Sequence, residues 1–187
     1  MQLVKAYFNY FTHPRETLQQ LLQERSLGKA CAGYLMGTLG WVLFFNIADG
    51  LSVPLFLLKV ILVFVAELTA GYFLASLCGL FLDFFRVKVA PVELFVLIGS
   101  AGFIKGLLIA FALISAAMPD YGLKWLAPFA LLLVLCLQLG YLARGVHRVY
   151  GVSVGRALTA WLVAFVPLFI ALALIGIFFL WGIILLV

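Results

Sequence analysis

The chain has 187 residues, of which 67% are hydrophobic and only 10% charged, with a formal net charge of +5 and a mean hydropathy of +1.26. Soluble domains carry about a quarter of their residues as Asp, Glu, Lys and Arg, so this composition excludes a water-soluble globular protein and indicates an all-α polytopic membrane bundle. Apolar blocks repeatedly exceed the roughly 18 to 20 residues needed to cross about 30 Å of hydrocarbon.

In chain order, residues 1–28 form a polar leader ahead of a membrane domain over 29–187. Within it, "THPRETLQQLLQERSLG" has Pro14 as a helix-start residue and Leu18, Leu21 and Leu22 on one face, opposite Gln and charged residues. That pattern predicts a short amphipathic helix lying on the membrane surface, with Tyr7, Phe8, Tyr10 and Phe11 before it as interfacial aromatics. Because the first apolar block starts only near Lys29, behind this polar segment, no cleaved signal peptide is expected.

Runs of apolar residues cut by charges, Pro and Gly predict five spans, at about 29–48, 54–82, 91–118, 123–143 and 157–185. Orientation follows from Lys and Arg. Lys5, Arg15, Arg25 and Lys29 precede the first span, Arg86 and Lys88 lie in the second connection, and Arg144, Arg148 and Arg156 in the fourth. An odd number of spans places these nine of the twelve basic residues on one side, against Lys124 with Asp49 and Asp120 on the other. The positive-inside rule therefore predicts a cytoplasmic N-terminus and a C-terminus on the opposite side.

Two of the spans carry charges deep in hydrocarbon. Each ionised group at mid-bilayer costs roughly 2.5 to 3.5 kcal/mol, so Lys59 and Glu67 in span two and Lys105 in span three need a reason. Glu67 lies sixteen residues before Asp83 at the inner end of its span, and Lys105 fourteen residues after Pro91 at the inner end of the next. At 1.5 Å per residue those depths are about 24 and 21 Å, which predicts an intramembrane Glu67–Lys105 pair. Glu67, Gly71 and Ala75 follow one another at i+4 steps, and Gly102 and Gly106 flank Lys105, the composition that lets membrane helices approach closely. Lys59, five residues into its predicted span, is placed to snorkel to the interface. Such a pair has two readings, a packing device or a proton or ion relay. The chain shows no clear inverted repeat and no matched pair of broken helices, which favours the packing device.

The stretch "YLARGVHRVYGVSVGRALTAW" opens the last span. Arg144, His147 and Arg148 share a helical face at i, i+3 and i+4, and with Arg156 they form a basic patch suited to anionic head groups or a protein partner. Gly151 is placed to end the fourth helix and Ser153 to cap the fifth. Trp161 and Trp181 are twenty residues apart, about 30 Å along a helix, which predicts an interfacial anchor at each edge of the membrane, with a kink at Pro167 between them.

Other chemistries find little support. His13 and His147 are the only histidines and lie outside the apolar blocks, which excludes a bis-His haem within the bundle. Cys31, Cys78 and Cys136 stand singly, without metal or redox spacing. Glycines in "GYLMGTLG" and "GSAGFIKG" fit helix packing and not phosphate binding. Glu16 and Glu24 belong to the surface segment, and Asp83 and Glu93 flank a connection, so paired catalytic carboxylates are missing. Neither an enzyme, a cofactor, a metal nor a nucleic-acid partner is expected.

With five spans, an amphipathic leader beginning near a proline, and "HRVYGVSVGRALTAW" opening the last span, the chain resembles the Yip family of Ypt-interacting membrane proteins, especially its small bacterial members. The likeness is carried mainly at Leu137 to Ala160, through the basic helix end, Tyr150-Gly151, Ser153 and Arg156-Ala157. It implies a non-enzymatic five-span protein with a cytoplasmic N-terminus, in a bacterial inner membrane, acting as a scaffold, adaptor or accessory subunit. Eukaryotic members bind Rab-type GTPases and shape or sort membranes; with only about 28 residues before the first span, this sequence lacks their longer cytoplasmic domain and its acidic Leu-Tyr-Gly-Pro segment, so GTPase binding is not expected from the resemblance. The partners expected are membrane lipids and a protein partner or further copies of the chain. The other functional reading is a small oligomeric transporter or channel component built on Glu67 and Lys105.

Overall fold

The computed structural model describes residues 26–46, 52–118 and 123–186. The amphipathic surface helix expected within residues 12–28 lies outside them up to residue 25, and Leu27 and Gly28 already belong to the first spanning helix. The described chain is all helical, and five of its helical segments are long and apolar enough to cross a membrane. In order these are α1 (Leu27–Asn46), α2 (Val53–Phe84), α3 (Pro91–Lys105) continued by α4 (Leu107–Ala117), α5 (Ala127–Tyr150) after a 3-10 turn at Leu123–Leu126, and α6 (Val154–Leu186).

Local chemistry sets most of the ends. Proline stands in the first turn of α2, α3 and α5, where its missing N–H and fixed φ suit a helix start. The backbone N–H of Lys29 donates to Ser26 Oγ at 3.4 Å and that of Arg156 donates to Ser153 Oγ at 3.4 Å, the same cap on α1 and α6. Gly151 closes α5 at φ 67°, with its N–H on the His147 carbonyl at 3.0 Å. At the end of α2, the Arg86 N–H reaches the Asp83 carbonyl (2.8 Å) and the Val87 N–H the Leu82 carbonyl (3.2 Å). This is a Schellman closure that puts Arg86, not a glycine, in the left-handed region at φ 59°.

Two elements differ from the expected spans. The fourth helix runs past the expected span end near 143 to Tyr150 and stops at Gly151, the residue placed to end it, so Arg144, His147 and Arg148 lie on its last turns. The third span is interrupted: Gly106 and Ile109 make i→i−3 hydrogen bonds, to Phe103 and to Gly106, both at 3.0 Å, and this tighter turn separates α3 from α4 immediately after Lys105. The last helix runs on through Pro167.

α3 is the central helix, buried without a break from Val96 through Ile104 and packed by α1, α2 and α5. Its small residues make this geometry available. A Cβ on Gly99 would stand 2.7 Å from the Ala30 carbonyl oxygen, and a Cβ on Gly33, Gly40 or Gly102 would strike backbone of the facing helix, so α1 and α3 touch main chain to main chain. On the other side of α3, Leu97 fills the space over Gly145 of α5. The main core joins Leu74, Cys78 and Leu82 of α2, Leu94 and Leu97 of α3, and Leu142 and Val146 of α5, with Trp161 of α6. Large apolar side chains on the outside, such as Ile61, Leu62, Leu80, Leu133 and Phe169, are more than half exposed, as lipid-facing residues are.

Candidate functional site

Glu67 projects from the α2 face that also carries Lys59, Val63 and Gly71, each one helical repeat of four residues from the next. Across from it, Lys105 is the last residue of α3 before the interruption at Gly106. The Lys105 ammonium donates to Glu67 Oε1 at 2.9 Å, and the two side chains are only 15% and 13% exposed.

A third wall, which depth counting on spans two and three did not reach, comes from α1. A Cβ on Gly37 would lie 3.2 Å from Lys105 Cδ and 3.3 Å from Glu67 Oε2, so the ion pair packs closely over a residue without a side chain, and a larger residue there would require the pair to shift by a few tenths of an ångström. One turn on, the Lys105 ammonium sits 5.9 Å from the centre of the Trp41 ring, within cation–π range. Gly40 lies against the Lys105 carbonyl. The legible signal was the spacing of "GYLMGTLGW", which sets Gly33, Gly37, Gly40 and Trp41 along one side of α1. Glu67 Oε2 is buried and has no hydrogen-bond partner among the described residues. The arrangement is a net-neutral pair in a low-dielectric layer, strong in Coulomb terms and costly to open from either side.

Lys59 does not join it. Its ammonium donates to Asn46 Oδ1, and the Asn46 amide donates in turn to the Val42 carbonyl at 2.8 Å. This links α2 to the last turn of α1, eight residues along α2 from Glu67.

At the far end of the bundle, where α2 meets α3 and α5 meets α6, Arg144, His147, Arg148 and Arg156 are all exposed, as are Arg86 and Lys88. The backbone beneath them is tied down. The Tyr150 hydroxyl donates to Glu93 Oε2 at 2.7 Å, His147 Nδ1 and the Val152 carbonyl oxygen are 2.6 Å apart, and the Arg156 guanidinium lies 5.8 Å from the Phe85 ring centre.

Trp161 requires a correction. It is not an anchor at the lipid interface but fully buried, because the first turns of α6 pack between α2 and α5 and Ala157, Ala160 and Ala164 leave room for the indole. Its Nε1 has no partner among the described residues. The Trp181 side chain lies outside what is described. Among the described residues no group of three or more His, Cys, Asp or Glu side chains is placed to hold a metal.

The fold and these charges define a class: an all-helical protein of the integral membrane kind, with an ion pair between α2 and the central helix α3 and a basic surface at one end. Comparison with protein families, with curated proteins and with solved structures found no match.

Proposed function

We propose that the chain is a non-enzymatic scaffold, adaptor or accessory subunit, Yip-like in character, that presents a basic cytoplasmic face to a protein partner or to anionic lipid. The observation that carries this reading is the basic end itself: Arg144, His147, Arg148 and Arg156 are exposed together on a surface whose backbone is fixed by the Tyr150–Glu93 hydrogen bond and the Ser153 cap. A predominantly basic surface on a fixed backbone favours recognition, since little loop ordering remains to oppose binding. The location proposed is a bacterial inner membrane with the N-terminus in the cytoplasm. The test is co-purification from native membranes in mild detergent, for the wild type and for Arg144→Gln/Arg148→Gln/Arg156→Gln. A stoichiometric partner or bound anionic lipid that is lost with the three arginines supports the reading; identical partners and lipid in both proteins defeat it.

One observation favours a second reading, a small oligomeric transporter or channel component. The interruption at Gly106 falls next to Lys105, and irregular backbone at membrane depth is a feature of ion and substrate paths.

A further inference from the structure

Between the end of α1 and the first half of α2 runs an open groove of about 320 Å³, walled by Trp41, Val42 and Phe45 on one side and by Lys59, Val63 and Glu67 on the other. We infer that this groove holds one acyl chain of an anionic phospholipid from the leaflet opposite the basic end, with the lipid phosphate on Lys59.

Depth supports this occupant. α2 has 32 residues and is about 48 Å long, so centred on a hydrocarbon layer of about 30 Å it projects about 9 Å at each end. Lys59 is six residues, about 9 Å, from the first residue of the helix, which places it at the hydrocarbon edge where phosphates begin. Glu67 is eight residues deeper, about 12 Å, so the groove runs for most of the roughly 15 Å of one leaflet.

Charge and surroundings select the same ligand. Glu67 is neutralised by Lys105, which leaves the ammonium of Lys59 as the unmatched charge among the groove's lining residues. One of its three donors is taken by the neutral Asn46 amide, which holds the side chain at the groove mouth without cancelling its charge and leaves two donors for a phosphate. Phe45, Leu58 and Leu62 beside the groove are each more than half exposed and apolar, so hydrocarbon is its natural filling. An acyl chain lying there covers the approach to the ion pair and excludes water from it, which strengthens the pair.

The site shares no residue with the basic end, so its failure and that of the proposed function are separable. The experiment reconstitutes the full chain in phosphatidylcholine vesicles doped with phosphatidylglycerol or phosphatidylcholine bearing a photoactivatable acyl chain, and maps the adducts by mass spectrometry. The phosphatidylglycerol probe should label the Trp41, Phe45 and Val63 segments about fivefold more than the phosphatidylcholine probe, the ratio expected for one lysine at a phosphate layer. Lys59→Gln should abolish the difference, Lys59→Arg should keep it, Val63→Trp should lower labelling by both probes, and Arg144→Gln/Arg148→Gln/Arg156→Gln should leave it unchanged. Equal labelling by the two probes, or a preference that survives Lys59→Gln, overturns the inference. So does rapid reaction of a Val63→Cys variant, above the wild-type background, with a membrane-impermeant thiol reagent, since that means water and not lipid fills the groove.

Discussion

The Tyr150 hydroxyl and the Glu93 carboxylate meet at 2.7 Å, joining the last residue of α5 to the first turn of α3 across 57 positions of sequence. Glu93 there also faces the positive end of the α3 dipole, so the tyrosine completes a charge-assisted contact at a site where an anion is already favoured. Replacing Tyr150 with Phe keeps the ring and removes the donor. Thermal unfolding in detergent should show a loss of about 1 kcal/mol, and hydrogen exchange should quicken at the Gly151–Ser153 corner while the centre of α3 stays protected. Unchanged exchange at that corner would mean that the bond does not hold the basic end.

Breaking the intramembrane pair should cost far more than replacing it. Glu67→Gln leaves the Lys105 ammonium beside the Trp41 ring without its counter-charge, a loss of about 3 kcal/mol, at the lower end for a buried pair because both side chains keep some exposure. Glu67→Met with Lys105→Met should recover most of it, since two unbranched apolar chains fill similar volume with no charge to compensate. Proton flux into vesicles separates the two functional readings. Flux in the wild type that vanishes in a well-folded double mutant defeats the scaffold; negligible flux in wild type, both single mutants and the double defeats the proton relay.

Glycines of equal helix propensity should divide sharply by what faces them. Gly40→Ala puts a methyl group into the Lys105 carbonyl, where backbone cannot step aside, and should lower stability by about 1 to 3 kcal/mol as α1 is pushed off α3. Gly140→Ala meets nothing within 4 Å and should raise stability by about 0.5 to 1 kcal/mol through helix propensity alone. Similar effects of the two changes, measured by denaturation in one detergent, would contradict main-chain contact between α1 and α3.

Reporter fusions test the orientation. Nine of the twelve basic residues fall in the N-terminal segment and in the second and fourth connections, so reporters before Lys5 or at Gly151 should stay in the cytoplasm and one after Val187 should be exported. An exported reporter at Gly151 would reverse the topology and remove the Yip-like reading with it.

Much of the architecture was legible because a bilayer makes length and hydropathy decisive: a run such as 54–82 has few options other than a spanning helix, and α2 covers Val53–Phe84. Local stereochemistry was legible as well, since Gly151 ends α5 with positive φ and Ser153 caps α6 through interactions contained in a few residues. Depth arithmetic went further and brought Glu67 to Lys105, because in a layer of fixed thickness two charges at equal depth on adjacent helices have few other partners. Which helix stands between the others is not encoded in hydropathy, for Leu facing lipid and Leu facing protein read alike. Only tertiary packing made α3 central, closed the ion pair with Gly37 and Trp41 of α1, interrupted the third span after Lys105, and drew Trp161 into the core. Those outcomes depend on which small residues of one helix face the backbone of another, a matter of close contact between segments far apart in sequence.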